Sequence, residues 1–176
     1  LLEQLAALDG LKRLRLSSIE VSGVTPRLLE VMARYLQIGR HLHLPLQSGD
    51  DRVLAAMRRR YDAREFTEAV KRAREALPDI NLTTDVIVGF PGENEVAFKK
   101  TMWLIDEVGF SKVHVFPYSA RPGTAAQAQE DSVPVAVKQR RGRFLRFQSD
   151  RLELAHKQRK LGGLSEVLLE SPQGTG

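Results

Sequence analysis

There is no cysteine among the 176 residues. That excludes disulfides, zinc-thiolate sites, a cysteine nucleophile and a thiolate-held iron–sulfur cluster within this chain. Nor does any apolar run approach the roughly 18 residues that cross a bilayer. The opening stretch LLEQLAALDG carries Glu3 and Asp9 where a secretory signal needs a basic and then an apolar segment. A cytoplasmic protein with no membrane and no disulfide-linked partner is therefore expected. The length is enough for one sizeable core but falls short of the ~250 residues of a closed eight-fold β/α barrel.

What the chain does have is an uneven charge distribution. The net charge is +5. Residues 138 to 160 hold nine basic side chains against Asp150 and Glu153, a local +7, so the remainder sums to −2. Such a strip fits RNA phosphates, although basic helices are also commonly just solvated faces. Both ends are expected to fall mid-fold. Residues 1 to 8 read as the end of an amphipathic helix with Leu1, Leu2, Leu5 and Leu8 on one face, closed at Gly10. At the other end Gly162 and Gly163 break a long helix, and SEVLLE reads as one strand without a partner.

Between the ends, strand-like runs alternate with helical ones: LKRLRLSS, HLHLPLQ, NLTTDVIVG and SKVHVFPY are each followed by a helix-period segment. Helix starts are marked by Thr25–Pro26 and by the Asp62 to Glu65 capping box, and stops by Pro78 and Gly109. All four strands show period-2 alternation. One face carries Leu14, Leu16, Leu42, Leu44, Leu46, Leu82, Val86, Val88, Val113 and Val115. The other carries Arg13, Arg15, Ser17, His41, His43, Gln47, Thr83, Asp85, Ile87, Gly89, His114, Phe116 and Tyr118. A sheet with helices on both faces should be apolar on both, whereas a barrel with helices only outside tolerates a polar lumen whose groups are paired. The predicted class is α/β, a partial, open β/α barrel of about four units followed by a long basic helix.

In such folds, ligands are bound just past the carboxyl ends of the strands. Here those ends read SSIE, QSGDD, GFPGE and YSARPGT. Gly89 and Gly92 remove Cβ atoms where a flat or phosphate-like group approaches the backbone. RRRY, residues 58 to 61, reads as a helix end with a possible phosphate contact. His41, His43 and His114 point into the lumen, but no acidic residue sits beside them in sequence. The reading taken is a hydrogen-bonded lumen with no metal ligand and no catalytic side chain assigned.

LRLSSIE, RHLHLPLQSG, VLAAMRRRY, TTDVIVGFPGE and HVFPYSARPGTAA, in this order, resemble the radical S-adenosylmethionine (SAM) methylthiotransferases, and most nearly the bacterial threonylcarbamoyladenosine tRNA enzymes. The resemblance implies that residues 1–161 are the carboxyl-terminal part of a radical SAM barrel with its trailing basic helix, and that 162–176 begin a TRAM domain, a small RNA-binding β-barrel. It implies SAM and two [4Fe–4S] clusters as cofactors, the cluster ligands lying in amino-terminal domains outside this chain. The implied reaction is methylthiolation of C2 of an adenosine beside the tRNA anticodon, with the fragment alone inactive. By the same resemblance Gln47, Ser48, Ile87, Val88, Gly89 and Phe116 meet SAM. Tyr118, Ser119, Arg121, Arg140, Arg141 and Arg143 meet the tRNA anticodon loop, and Arg15, His43, Asp85 and His114 order the lumen. Sister enzymes acting on isopentenyladenosine tRNA or a ribosomal-protein aspartate, or a cofactor-free RNA-binding module, are the alternatives.

Overall fold

The computed structural model describes residues 1–120, 122–123, 126 and 133–164. The expected TRAM strand at 165–170 lies outside these residues, as does Arg121. Helix α1 (Leu2–Ala6) leads through a short 3-10 turn to α2 (Pro26–Arg34), β1 (His41–His43), α3 (Asp51–Ala56) and α4 (Ala63–Ala76). Then follow β2 (Asn81–Val88), α5 (Glu95–Val108), β3 (Lys112–Pro117) and the long α6 (Val135–Gln158). The starts follow the sequence signals. Thr25 accepts from the Leu28 amide, Asp62 forms a capping box with Glu65, and Asn94 accepts from the Ala97 amide. Gly109, left-handed at φ 59°, stops α5.

The sheet is parallel, in the order β1-β2-β3, with His43 opposite Thr83 and Asp85 opposite His114. Among the described residues it has three strands, not four. The fourth expected strand, residues 11–18, is held only by isolated bridges from Leu14 to Ile38 and from Ser18 to His43. This segment has one neighbour, and between the bridges Arg15 and Ser17 project into solvent, so no continuous ladder forms. The expected apolar face of α1 is also corrected. Leu1 and Leu8 are exposed, and the short helix enters the core through Ala6 and Leu2.

Period-2 alternation separates the faces as predicted. Leu42, Leu44, Leu46, Leu82, Val86 and Val88 are buried beneath the helices, along with Thr84, whose hydroxyl donates to the Leu44 carbonyl and accepts from the Leu46 amide. Helix α6 lies along β3 and serves its outer edge: the Val113 amide donates to Ser149 Oγ (3.0 Å), and Lys112 donates to Glu153 (2.5 Å). The outer surface of the helices keeps several large side chains in water, among them Trp103 on α5 at 65% exposure and Phe144 and Phe147 on α6. No helix among the described residues is long and apolar enough to cross a membrane.

Candidate functional site

The uncovered face of the sheet carries two adjoining cavities. One, of about 690 Å³, lies at the carboxyl ends of the strands, lined by Gln47, Asp85, Ile87, Phe116, Tyr118 and Ser119. Met57, Arg58, Arg59 and Phe90 also line it. The second, of about 600 Å³, lies deeper along the strands, between Arg15, His41, His43, Thr83 and His114, and shares Asp85 and Phe116 with the first. The expected lumen residues therefore do share one concavity.

Strand chemistry explains this gathering. Parallel register puts Thr83 beside His43 and His114 beside Asp85, and period 2 turns all of them toward the open side. The polar groups are paired: His43 Nε2 lies 3.2 Å from Asp85 Oδ2, and His43 Nδ1 and His41 Nε2 each lie 3.0 Å from Thr83 Oγ1. Burial, aided by Arg15 and His43, lowers the His41 pKa. The acidic partner that the linear sequence did not show beside the histidines is supplied by the neighbouring strand. His43, Asp85 and His114 bring one ligand atom each within 4.8 Å of one another, a spacing that admits a divalent cation as well as a hydrogen-bonded cluster.

Gln47 is fixed by its backbone. It has φ 65°, a left-handed conformation uncommon outside glycine, yet its amide donates to the Asp85 carbonyl and its carbonyl accepts from Ile87 N. These bonds hold a strained residue at the cavity wall. The floor of this turn is equally tied. The Tyr61 phenol donates to the Pro45 carbonyl at 2.6 Å, and its pKa is pushed up to about 12 by burial.

Three expected ligand contacts are corrected. Ser48 is fully buried: its Oγ accepts from the Asp50 amide and meets Thr101, because Gly49 packs directly on α5. Its role is to build the α3 cap, where Asp50 accepts from Arg52 N, Val53 N and Lys100 Nζ. Val88 is turned into the core, so only its backbone reaches the loop, where its carbonyl accepts from Tyr118 N. Gly89, at φ 74°, does have a crowded Cβ position, but the crowding atom is Lys138 Cγ, 2.3 Å away, not an open space for a flat ligand.

The basic helix is also corrected in part. Arg141 is buried and bonded to Glu93 Oε1 at 2.6 Å and to the Glu93 carbonyl at 3.1 Å, over the ring of Phe98. It cannot reach an RNA phosphate from there. Glu93 also accepts from Gly89 N at 2.8 Å, so α6 is clamped to the GFPGE loop. Burial raises the Glu93 pKa, opposed by the Gly89 amide and by Arg141. Lys138 packs over Tyr118. Arg140 and Arg143 stay at the surface beside Phe144 and Phe147. Arg58 and Arg59 at the cavity were missed as site residues because RRRY read as a helix end. Helix α3 actually stops at Ala56, and Arg58, at φ 57°, turns the chain.

A parallel sheet with helices on one side and a polar cavity on the other defines a class. Residues 1–105, more than half the chain, match the Radical SAM superfamily, and the chain belongs to it. Two solved structures share the fold. Coproporphyrinogen III oxidase (HemN) of Escherichia coli, a radical SAM enzyme, superposes with a TM-score of 0.57 at 18% identity, over 85% of this chain and 32% of that one. Elp3 of Methanocaldococcus infernus gives 0.53 at 16% identity, over 65% and 26%.

Closer in sequence are curated relatives named tRNA-2-methylthio-N(6)-dimethylallyladenosine synthase. That of Aromatoleum aromaticum is 44% identical over 170 residues, 97% of this chain and 38% of the relative. That of Chloroflexus aurantiacus is 44% identical over 174 residues, 97% and 37%, and that of Bordetella pertussis 43% over 172, 98% and 38%. The chain thus spans under two fifths of their length. Their names overturn the expected threonylcarbamoyladenosine branch in favour of the isopentenyladenosine alternative. SSIE and RHLHLPLQSG, the blocks that favoured the former, form an edge bridge, strand β1 and a helix cap. Besides building the fold, they line the two cavities through Ser17, Ser18, His41, His43 and Gln47.

Proposed function

We propose that this chain supplies one wall of the catalytic cavity in a tRNA methylthiotransferase that modifies N6-dimethylallyladenosine, using SAM. The observation that carries the reading is the cavity at the strand ends, formed in a chain 44% identical along nearly its whole length to synthases of that name. Its volume suits an adenosyl group. Gln47, Asp85 and Arg58 offer polar partners at one side, and Ile87 with Phe116 offers apolar surface at the other. The donor set for a cluster does not fit: with no cysteine in the chain, thiolates for the two [4Fe–4S] clusters of the complete enzyme must come from other sequence. When bound, SAM supplies the radical and methyl chemistry.

The residues of this chain bind, orient and exclude water. Ile87 and Phe116 flank the adenine, and the αL backbone of Gln47 presents its side-chain carboxamide to the SAM polar groups. Tyr118 and Ser119, at the rim, meet the tRNA nucleoside, and Arg58 and Arg59 its phosphate. Arg140 and Arg143, exposed beside two phenylalanines, are the part of α6 open to the anticodon stem-loop.

The test is a chimera in which residues 1–176 replace the aligned segment of the Aromatoleum relative. After anaerobic cluster reconstitution, digestion of treated tRNA should yield 2-methylthio-N6-dimethylallyladenosine by mass spectrometry, and Ile87→Trp, which fills the cavity, should abolish it. A folded, cluster-loaded chimera that modifies a different nucleoside or none overturns the proposal.

A further inference from the structure

The polar groups on the open face are connected in a row whose ends cannot be exchanged. Arg15 Nη2 lies 3.4 Å from His41 Nδ1, His41 Nε2 3.0 Å from Thr83 Oγ1, Thr83 Oγ1 3.0 Å from His43 Nδ1, and His43 Nε2 3.2 Å from Asp85 Oδ2. A guanidinium only donates, and an ionised carboxylate only accepts. With Arg15 donating to His41 Nδ1, a neutral His41 must carry its proton on Nε2 and donate to Thr83. The single Thr83 hydroxyl proton is then free to go to His43 Nδ1, which leaves the His43 proton on Nε2, facing Asp85. Each link fixes the next. Asp85 stands where the two cavities meet, with one oxygen engaged by His43.

We propose that Arg15, His41, Thr83 and His43 form a one-way hydrogen-bond chain that holds Asp85 as an oriented acceptor, whose other oxygen takes an N–H or O–H donor of the nucleoside bound in the cavity. Only the nucleoside clause rests on the function proposed above. The same geometry opposes a cation at His43, Asp85 and His114, because the lone pair it would need on His43 Nε2 is protonated. A cation there would force His43 to donate to Thr83 and drive two donors, Arg15 and His41 Nδ1–H, against each other.

The chain of bonds is read directly by long-range ¹H–¹⁵N NMR of the imidazoles in the 176-residue protein, in alkaline buffer where the rings are neutral. His41 and His43 should both be Nε2–H tautomers. Arg15→Glu, an exposed and structurally benign change, replaces the donor by an acceptor, so His41 should switch to Nδ1–H and His43 should follow. In the Thr83→Val background His41 should still switch while His43 stays, and Thr83→Ser should restore the transmission. An Nδ1–H His43 in the wild type, a His43 response independent of the hydroxyl, or loss of the Nε2 proton on adding one equivalent of Zn²⁺ overturns the chain. For the nucleoside clause, adenosine is titrated: the Asp85 carboxyl ¹³C resonance should move, and Asp85→Asn should weaken binding roughly ten-fold. An Asp85 resonance that stays still overturns that clause whatever the tautomers show.

Discussion

The two faces of strand β2 differ in what holds their side chains. On the covered face, Leu82, Thr84, Val86 and Val88 are sealed by helices, and on the open face Thr83, Asp85 and Ile87 are half-buried and held by neighbours of their own kind. One face is stabilised by area removed from water, the other by pairing of groups that remain near water. The contrast teaches that the same eight residues serve stability and ligand contact without conflict, because period 2 keeps the duties apart. The GFPGE loop joins the two regimes. Its Glu93 reaches from the site side into the buried Arg141 of α6.

The sharpest way to break the contrast is at that joint. Arg141→Met leaves Glu93 buried without its cation and should cost about 3–5 kcal/mol. Adding Glu93→Gln to it should recover much of the loss, since no charge then remains buried. Urea denaturation followed by far-UV circular dichroism measures both, and a loss under about 1 kcal/mol for the single variant would mean the clamp is not structural. Next in size is a matched pair across the sheet. Leu44→Ala should cost about 2–5 kcal/mol and Phe116→Ala, 51% exposed, under about 0.5. Equal losses would erase the division of faces.

Those two faces were legible in the sequence because alternation is local. The helix caps at Thr25 and Asp62 were legible for the same reason. The buried side of α6 was not. Its inward stripe runs Lys138, Arg141, Leu145, Gln148 and Ser149, so two cations occupy positions where helical periodicity looks for apolar residues. They are inside because Glu93 and Tyr118, far off in sequence, await them. The same holds for Asp85 beside His43, since only strand register reveals the pair. The nucleoside branch was misread because the motifs that favoured it build strand β1 and the walls of both cavities, features that the residues alone do not tie to one nucleoside.

The smallest expected effect sharpens the comparison at the far edge of β3. Hydrogen bonds from Lys112 and Lys157 depress the Glu153 carboxyl to about 2. A depressed carboxyl stabilises the fold above its ordinary range near pH 4.3 and stops doing so as pH falls through about 2. The group is close to solvent, which keeps the gain small. Wild type should therefore melt slightly above Glu153→Gln at pH 6, with the gap closing toward pH 2. A gap independent of pH would assign the brace to packing alone.

Trp103 is the sole tryptophan, and it stands on the outer side of α5, away from both cavities. Its indole is already wet in the native state, so its emission should shift little to the red on unfolding and be silent to a nucleoside entering the cavity. Moving the fluorophore, with Trp103→Phe and Phe116→Trp, would put the only indole on the shared wall of the two cavities, where quenching by a stacked purine becomes a direct optical signal of occupancy.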